Sequence, residues 1–322
     1  MPLTRFSSAV LAPVEVADLV PPPRFRDKDF AGYRIEAAVA GQAEAVGQVK
    51  AFASHRPGFL AGIFGKKAKP GLYLDGGFGV GKTHLLAASF NSAPGTRRYL
   101  SFAEAMSLFT VRGKDQAIAL LAADLVCIDE FELDDPTNTR IADLLVTALM
   151  DRGSRVLTTS NTVPGELGQG RMAVDLFRTQ LARIEAAFLG VHVPGADYRL
   201  RLVEAGQPPG QWGPATEPLT GEACVVVDAV GLDRWLRDIP VINLRRVAAM
   251  LGGLTVTDLP PFENQLAALR FVHLVDKLYD YGVALRVRTS TPIADLFPPE
   301  HCQAAFAKKY RRCQSRVTEL CR

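Results

Sequence analysis

The run Gly76-Gly77-Phe78-Gly79-Val80-Gly81-Lys82-Thr83, with His84 next, ends a glycine-rich loop on an ammonium and a hydroxyl. Glycines let consecutive backbone N–H groups curl around phosphate oxygens, and a helix opening at the end of the loop adds a favourable dipole. Lys82 can then reach β- and γ-phosphates, while Thr83 can set its hydroxyl on Mg²⁺. A second constellation is Leu125-Val126-Cys127-Ile128-Asp129-Glu130, four apolar residues followed by two adjacent acids. Such a pair costs free energy in a plain core. Beside a metal-bound triphosphate the two acids have distinct roles. Asp129 holds the metal, directly or through water, and Glu130 orients the attacking water. The second acid argues for hydrolysis rather than binding alone. A third strand end, Val156-Leu157-Thr158-Thr159-Ser160-Asn161, offers the Asn161 amide to the water or the γ-phosphate. The expected ligands are a nucleoside triphosphate and Mg²⁺. Taken singly, the three are a glycine-rich turn, a polar strand end and a turn-forming Asn; their order along one chain favours the chemistry.

Elements of a particular kind must carry these residues. Short apolar runs predict strands at 72–75, 98–102, 125–129, 155–159 and 191–194. Helical spacing between them predicts helices at 83–90, 103–111, 116–122, 139–152 and 173–189. An earlier helix is expected over 35–56, stopped by Pro57-Gly58. Alternation of this sort implies an α/β fold, a parallel sheet flanked by helices, with ligands beyond the C-terminal ends of the strands. Residues 1–30 read as an N-terminal extension in which Pro21-Pro22-Pro23 cannot lie mid-helix and Arg24-Phe25 anchors the tail. The P-loop core then spans 31–204, a Gly- and Pro-rich linker 205–221, and a smaller α+β lid 222–322. Strands are expected in that lid at 224–228, 254–257 and 284–288, with a helix starting near Leu232 and others at 267–281 and 304–320.

Composition limits the alternatives. With 48% apolar and 22% charged residues among 322, the chain has ordinary globular usage, so disorder is excluded. A net charge of +3 gives no strong nucleic-acid signal, and the basic cluster Lys308-Lys309, Arg311-Arg312 reads first as a half-exposed helix. Five cysteines lie far apart without CxxC spacing, which suits a reducing cytoplasm without disulfide or zinc site. Cys127 reads as a small buried hydrophobe. No apolar run approaches the roughly 18 residues of a spanning helix, so membrane association would be peripheral, through a partner. In ring-forming ATPases a neighbouring subunit completes the transition-state charge with an arginine. The candidates are Arg171, Arg178 and Arg183, and Arg270 is placed to sense nucleotide from the second domain. Each has a bland alternative as a solvated side chain.

The motif order resembles the AAA+ superfamily, and within it the ZapE-like cell-division ATPases and their mitochondrial relatives. The resemblance rests on Pro21 to Phe25, the loop at 71–83, Asp129-Glu130-Phe131, Thr159-Ser160-Asn161 with Pro164 and Leu167, and Asp197-Tyr198-Arg199. It continues through Asp258-Leu259-Pro260, the run 268–280 and the terminal stretch 315–320. It implies Walker A roles for Lys82 and Thr83, Walker B roles for Asp129 and Glu130, and a first-sensor role for Asn161. It also implies ATP hydrolysis, nucleotide-promoted homo-oligomers and a cytoplasmic place at the division site through the tubulin-like FtsZ protein, or another protein client in mitochondrial relatives. The chain departs from the family in a short 102–125 stretch and in Lys277, where an acid is usual. A nucleotide-gated adaptor with little turnover, and a DNA-associated AAA+ ATPase, remain alternatives. The first predicts that ATP binding suffices for partner binding, the second that single-stranded DNA stimulates turnover.

Overall fold

Strands buried on both faces read as unbroken apolar runs, and three of these become the middle of a sheet. A computed structural model describes residues 10–54, 69–133, 136–162, 177–195, 211–300 and 306–321. The chain forms two compact units: a core unit, Glu15–Pro21 with Phe25–Val203, and a C-terminal unit, Glu204–Arg322 with Met1–Val14 and Pro22–Arg24. No described helix is long and apolar enough to cross a membrane.

The core unit holds five parallel strands: β1 Gly71–Asp75, β2 Arg97–Ser101, β3 Leu125–Asp129, β4 Arg155–Thr159 and β5 Phe188–His192. Their spatial order is β2-β3-β4-β1-β5, and every residue of β1, β3 and β4 is buried. The helices are α1 Gln42–Ser54, α2 Lys82–Ser92, α3 Phe102–Arg112, α4 Lys114–Leu121, α5 Pro136–Asp151 and α6 Arg178–Ala187. A capping box starts α3, where the Ser101 hydroxyl accepts from the Glu104 N–H and the Glu104 carboxylate accepts from the Ser101 N–H.

Two boundaries correct the sequence-based expectation. The first helix begins at Gln42, not at 35, because the Gln42 side chain is already engaged at the entry turn. Its Oε1 accepts from the Glu36 N–H at 2.6 Å and its Nε2 donates to the Pro194 carbonyl at 3.1 Å. The last strand begins at Phe188, three residues before the expected 191, and α6 stops at Ala187. Sheet pairing wins here: Phe188 registers against Gly71, and its ring packs on Tyr73 and Phe131. Residues 55–56 and 173–176, expected as helix, lie outside the described residues.

The C-terminal unit is a second parallel sheet, ordered β6 Cys224–Asp228, β7 Gly253–Thr257, β8 Ala284–Arg288. Helices α7 Ala229–Asp238 and α8 Leu244–Met250 lie between β6 and β7, α9 Gln265–Tyr281 lies between β7 and β8, and α10 Ala307–Leu320 follows β8. The α+β description expected of this unit is therefore corrected to α/β, because each crossover between parallel strands carries helix. Sequence periodicity missed α8, whose seven residues carry two arginines beside the buried Leu244, Val247 and Ala248. The described part of the expected linker packs within this unit. Trp212 bridges to Val287 of β8 and donates its indole N–H to the Thr291 carbonyl at 2.7 Å. Of the lead-in, Val10 joins the apolar core of this unit, and Arg24 lies 3.9 Å over the Tyr279 ring and pairs with Glu319 at 2.8 Å. Phe25 instead packs on the apolar cluster of the core unit.

Candidate functional site

Because β4 lies between β1 and β3, the loops leaving the C-terminal ends of these three strands are neighbours. The glycine loop leaves β1, the acid pair ends β3, and Asn161 follows β4. Gly81 at the end of the loop sits at φ +91°, and a Cβ there would approach the Tyr33 ring to 2.6 Å, so this position needs glycine twice over. Lys82 is buried, with Nζ donating to the Gly76 carbonyl at 2.8 Å, the Gly77 carbonyl at 2.6 Å and Asn161 Oδ1 at 2.9 Å. Phe78, Gly79 and Val80 complete the turn into α2.

Two aromatic side chains, Tyr33 before α1 and His84 in α2, brace this loop. Tyr33 donates its hydroxyl to the Val80 carbonyl at 2.6 Å, and its ring meets the His84 imidazole edge-on. Burial pushes the Tyr33 phenol up, so it remains a donor at neutral pH. His84 sits 2.7 Å from the Asp29 carbonyl, an acceptor, so Nε2 carries the proton; burial lowers the imidazole pKa. Replacing Tyr33 with Phe strands the Val80 carbonyl in a buried site. We expect a loss of about 1–3 kcal/mol of stability, read by denaturant unfolding; an unchanged midpoint would mean that the loop does not rely on this brace.

The acids are held as tightly. Asp129 accepts from the Thr83 hydroxyl at 3.3 Å, from the Tyr99 hydroxyl at 3.2 Å and from the Thr159 hydroxyl. Glu130 adopts φ +56°, a left-handed conformation that costs a non-glycine residue about 1–2 kcal/mol. Its N–H donates to Asp129 Oδ1 at 3.1 Å and to the Thr159 hydroxyl at 3.0 Å, and the next N–H, of Phe131, donates to the Thr159 carbonyl at 2.7 Å. The strain is therefore over-determined by the end of β4. Thr83 and Asp129 present hard oxygens side by side, a donor set suited to Mg²⁺. Cys127, one strand residue earlier than Ile128, is fully buried, with its thiol pushed up by that burial.

Asn161 lies between charges: its Nδ2 donates to Glu132 Oε1 at 2.9 Å while its Oδ1 accepts from Lys82. At the lip of the loop the Asp75 carboxylate meets His192 Nδ1, tying the ends of β1 and β5. Of the arginines, Arg178 starts α6, Arg183 pairs with Asp143 of α5, and Arg171 lies outside the described residues, as do Pro164, Leu167 and Asp197-Tyr198-Arg199. Arg270 belongs to the C-terminal unit, paired with Asp233 at 2.8 Å. Sequence reasoning did not single out Tyr33, Tyr99 or Glu132, and gave Thr159 no role of its own. Glu132 had a faint signal, a third acid closing Asp-Glu-Phe-Glu; the tyrosines had none.

The chain resembles known proteins in sequence. The Escherichia coli (strain K12) cell division protein ZapE is 27% identical over 300 aligned positions, covering 78% of this chain and 77% of that protein. Among solved structures, DnaI aligns at 19% identity with a TM-score of 0.45, over 56% of this chain and 98% of that one. AMPPCP-bound DnaA from Aquifex aeolicus aligns at 17% identity with a TM-score of 0.40, over 55% of this chain and 53% of that one. The family model described as AFG1-like ATPase matches residues 14–217 and 244–322, and the chain belongs to that family.

Proposed function

We propose that this ATPase couples Mg²⁺-dependent ATP hydrolysis to remodelling or regulating a protein partner in cell division, with an FtsZ-like ring protein as the client. The hydrolytic part is supported above all by the convergence of Lys82, the Asp129–Glu130 pair and Asn161 on one glycine loop. The cell-division part is supported by the likeness to ZapE.

The loop N–H groups and the start of α2 bind the triphosphate. Lys82 exchanges the Gly76 and Gly77 carbonyls for β- and γ-phosphate oxygens. Thr83 and Asp129 would hold Mg²⁺, which would supply positive charge to the bound triphosphate. Glu130 orients the water and accepts its proton as the γ-phosphorus–oxygen bond to ADP breaks, releasing inorganic phosphate. Asn161 holds the water against the γ-phosphate. Assembly of several subunits, in the cytoplasm at the division site, would offer an α6 arginine, Arg178 or Arg183, or Arg171 before it, to a neighbouring site. Arg270 acts as the nucleotide-sensing arginine of the C-terminal unit.

The test is Glu130→Gln. ATP should bind within a few-fold of wild type while turnover falls at least about 100-fold, the scale of removing one preorganised polar group. Wild-type turnover in that variant would overturn the reading. Negligible turnover by the unaltered chain at every protein concentration, with tight ATP binding, would favour the nucleotide-gated adaptor. Co-sedimentation with FtsZ-like polymers in ATP but not in ADP tests the client.

A further inference from the structure

We propose that Glu132 is a positioning residue that fixes which end of the Asn161 amide faces the phosphate loop; this rests on the role assigned to Asn161 above. The observation is a relay of three side chains. Lys82 Nζ donates to Asn161 Oδ1 at 2.9 Å, and Asn161 Nδ2 donates to Glu132 Oε1 at 2.9 Å. Lys82 and Glu132 are only 8% and 4% exposed, so water does little to screen either contact. Flipping the amide would turn its nitrogen to an ammonium and its oxygen to a carboxylate. Two charge-assisted hydrogen bonds would become two repulsive contacts.

The backbone on both sides of the relay is pinned. Phe131, just before Glu132, is fully buried, packs on Phe102 and Phe188, and donates its N–H to the Thr159 carbonyl at 2.7 Å. On the other side, the Ser160 N–H donates to the Leu74 carbonyl at 2.8 Å and the Tyr73 hydroxyl donates to the Thr162 carbonyl at 2.9 Å. Neither partner can drift to suit the other. The amide oxygen is thereby the end presented to the site, an acceptor for Lys82 or for a hydrogen of the attacking water. Glu132 acts from behind it, through the amide whose oxygen faces the site.

The test uses the full chain and five variants, with single-turnover hydrolysis, AMPPCP affinity and unfolding midpoint measured for each. Glu132→Ala should slow hydrolysis about tenfold to 100-fold, the usual effect of removing a partner that orients a site group, with AMPPCP affinity within about threefold. Glu132→Gln keeps an oxygen for Asn161 Nδ2 and should restore most of the rate. Asn161→Asp sets two carboxylates face to face. Adding Glu132→Gln, whose amide nitrogen donates to Asp at 161, should recover at least about tenfold by rebuilding the bond with its polarity reversed. A double variant no faster than Asn161→Asp would overturn the proposal, as would Glu132→Ala that loses stability but keeps its rate. Asn161→Ala at wild-type rate would instead sink the role of Asn161 itself, and the proposal with it.

Discussion

A Thr159→Val protein is expected to hydrolyse ATP about 100-fold more slowly than wild type, the scale of cost when catalytic groups shift by about 1 Å. Shape is nearly conserved in this change, but the hydroxyl is not. That one hydroxyl donates to the Asp129 carboxylate and accepts from the Glu130 N–H at 3.0 Å. Valine removes both contacts, freeing the proposed metal ligand and the strained φ +56° backbone of the proposed water-orienting acid. The Phe131 N–H to Thr159 carbonyl bond is backbone only and survives, so the sheet should hold. ATP affinity should therefore change little while the single-turnover rate falls and the buried groups left short of a partner cost about 1–3 kcal/mol of stability, and Thr159→Ser should restore both. A valine variant within about threefold of wild type would mean that Tyr99 and Thr83 suffice to place Asp129.

The second large effect is on stability. Asp276→Asn should cost the C-terminal unit about 3–5 kcal/mol, the usual result of breaking one side of a buried ion pair. Asp276 accepts from Arg312 at 2.8 Å and from Arg316, and both arginine side chains are buried to about the same degree as the acid. Burial alone would push the Asp276 carboxyl up. The charges of Arg312, Arg316 and His273, with the Arg312 hydrogen bond, overcome it and hold the group well below the usual carboxylate range. A carboxyl depressed on folding contributes stability that is complete above its unfolded pKa of about 3.9. That contribution is lost as pH falls through the lower folded value. The wild-type unit should therefore lose stability only in strong acid, and the variant should lack that dependence. Both tryptophans, Trp212 and Trp235, pack against the core of this unit, so their fluorescence follows its unfolding. An Asp276→Asn midpoint equal to wild type at neutral pH would show that the arginines find other partners.

Those parts of this site that are neighbours along the chain are legible in residue spacing alone. Glycines with Lys82 and Thr83, two acids after four apolar residues, and Asn161 after a β-branched run each carry their chemistry in local spacing. The alternation of elements was legible for the same reason, because buried strands and amphipathic helices impose different periods on adjacent residues. Where a stretch suits either period, as around Phe188, the boundary was decided by the Tyr73 and Phe131 rings waiting across the sheet. The strand order that sets β4 between β1 and β3 emerges in the folded sheet, since a βαβ alternation is compatible with several orders. The braces came with it. Tyr33 meets Val80 across 47 positions, Tyr99 meets Asp129 across 30, and Glu132 meets Asn161 across 29. A hydrogen bond between residues so far apart leaves no trace in the spacing of either, because its geometry exists only once the sheet has brought the loops together.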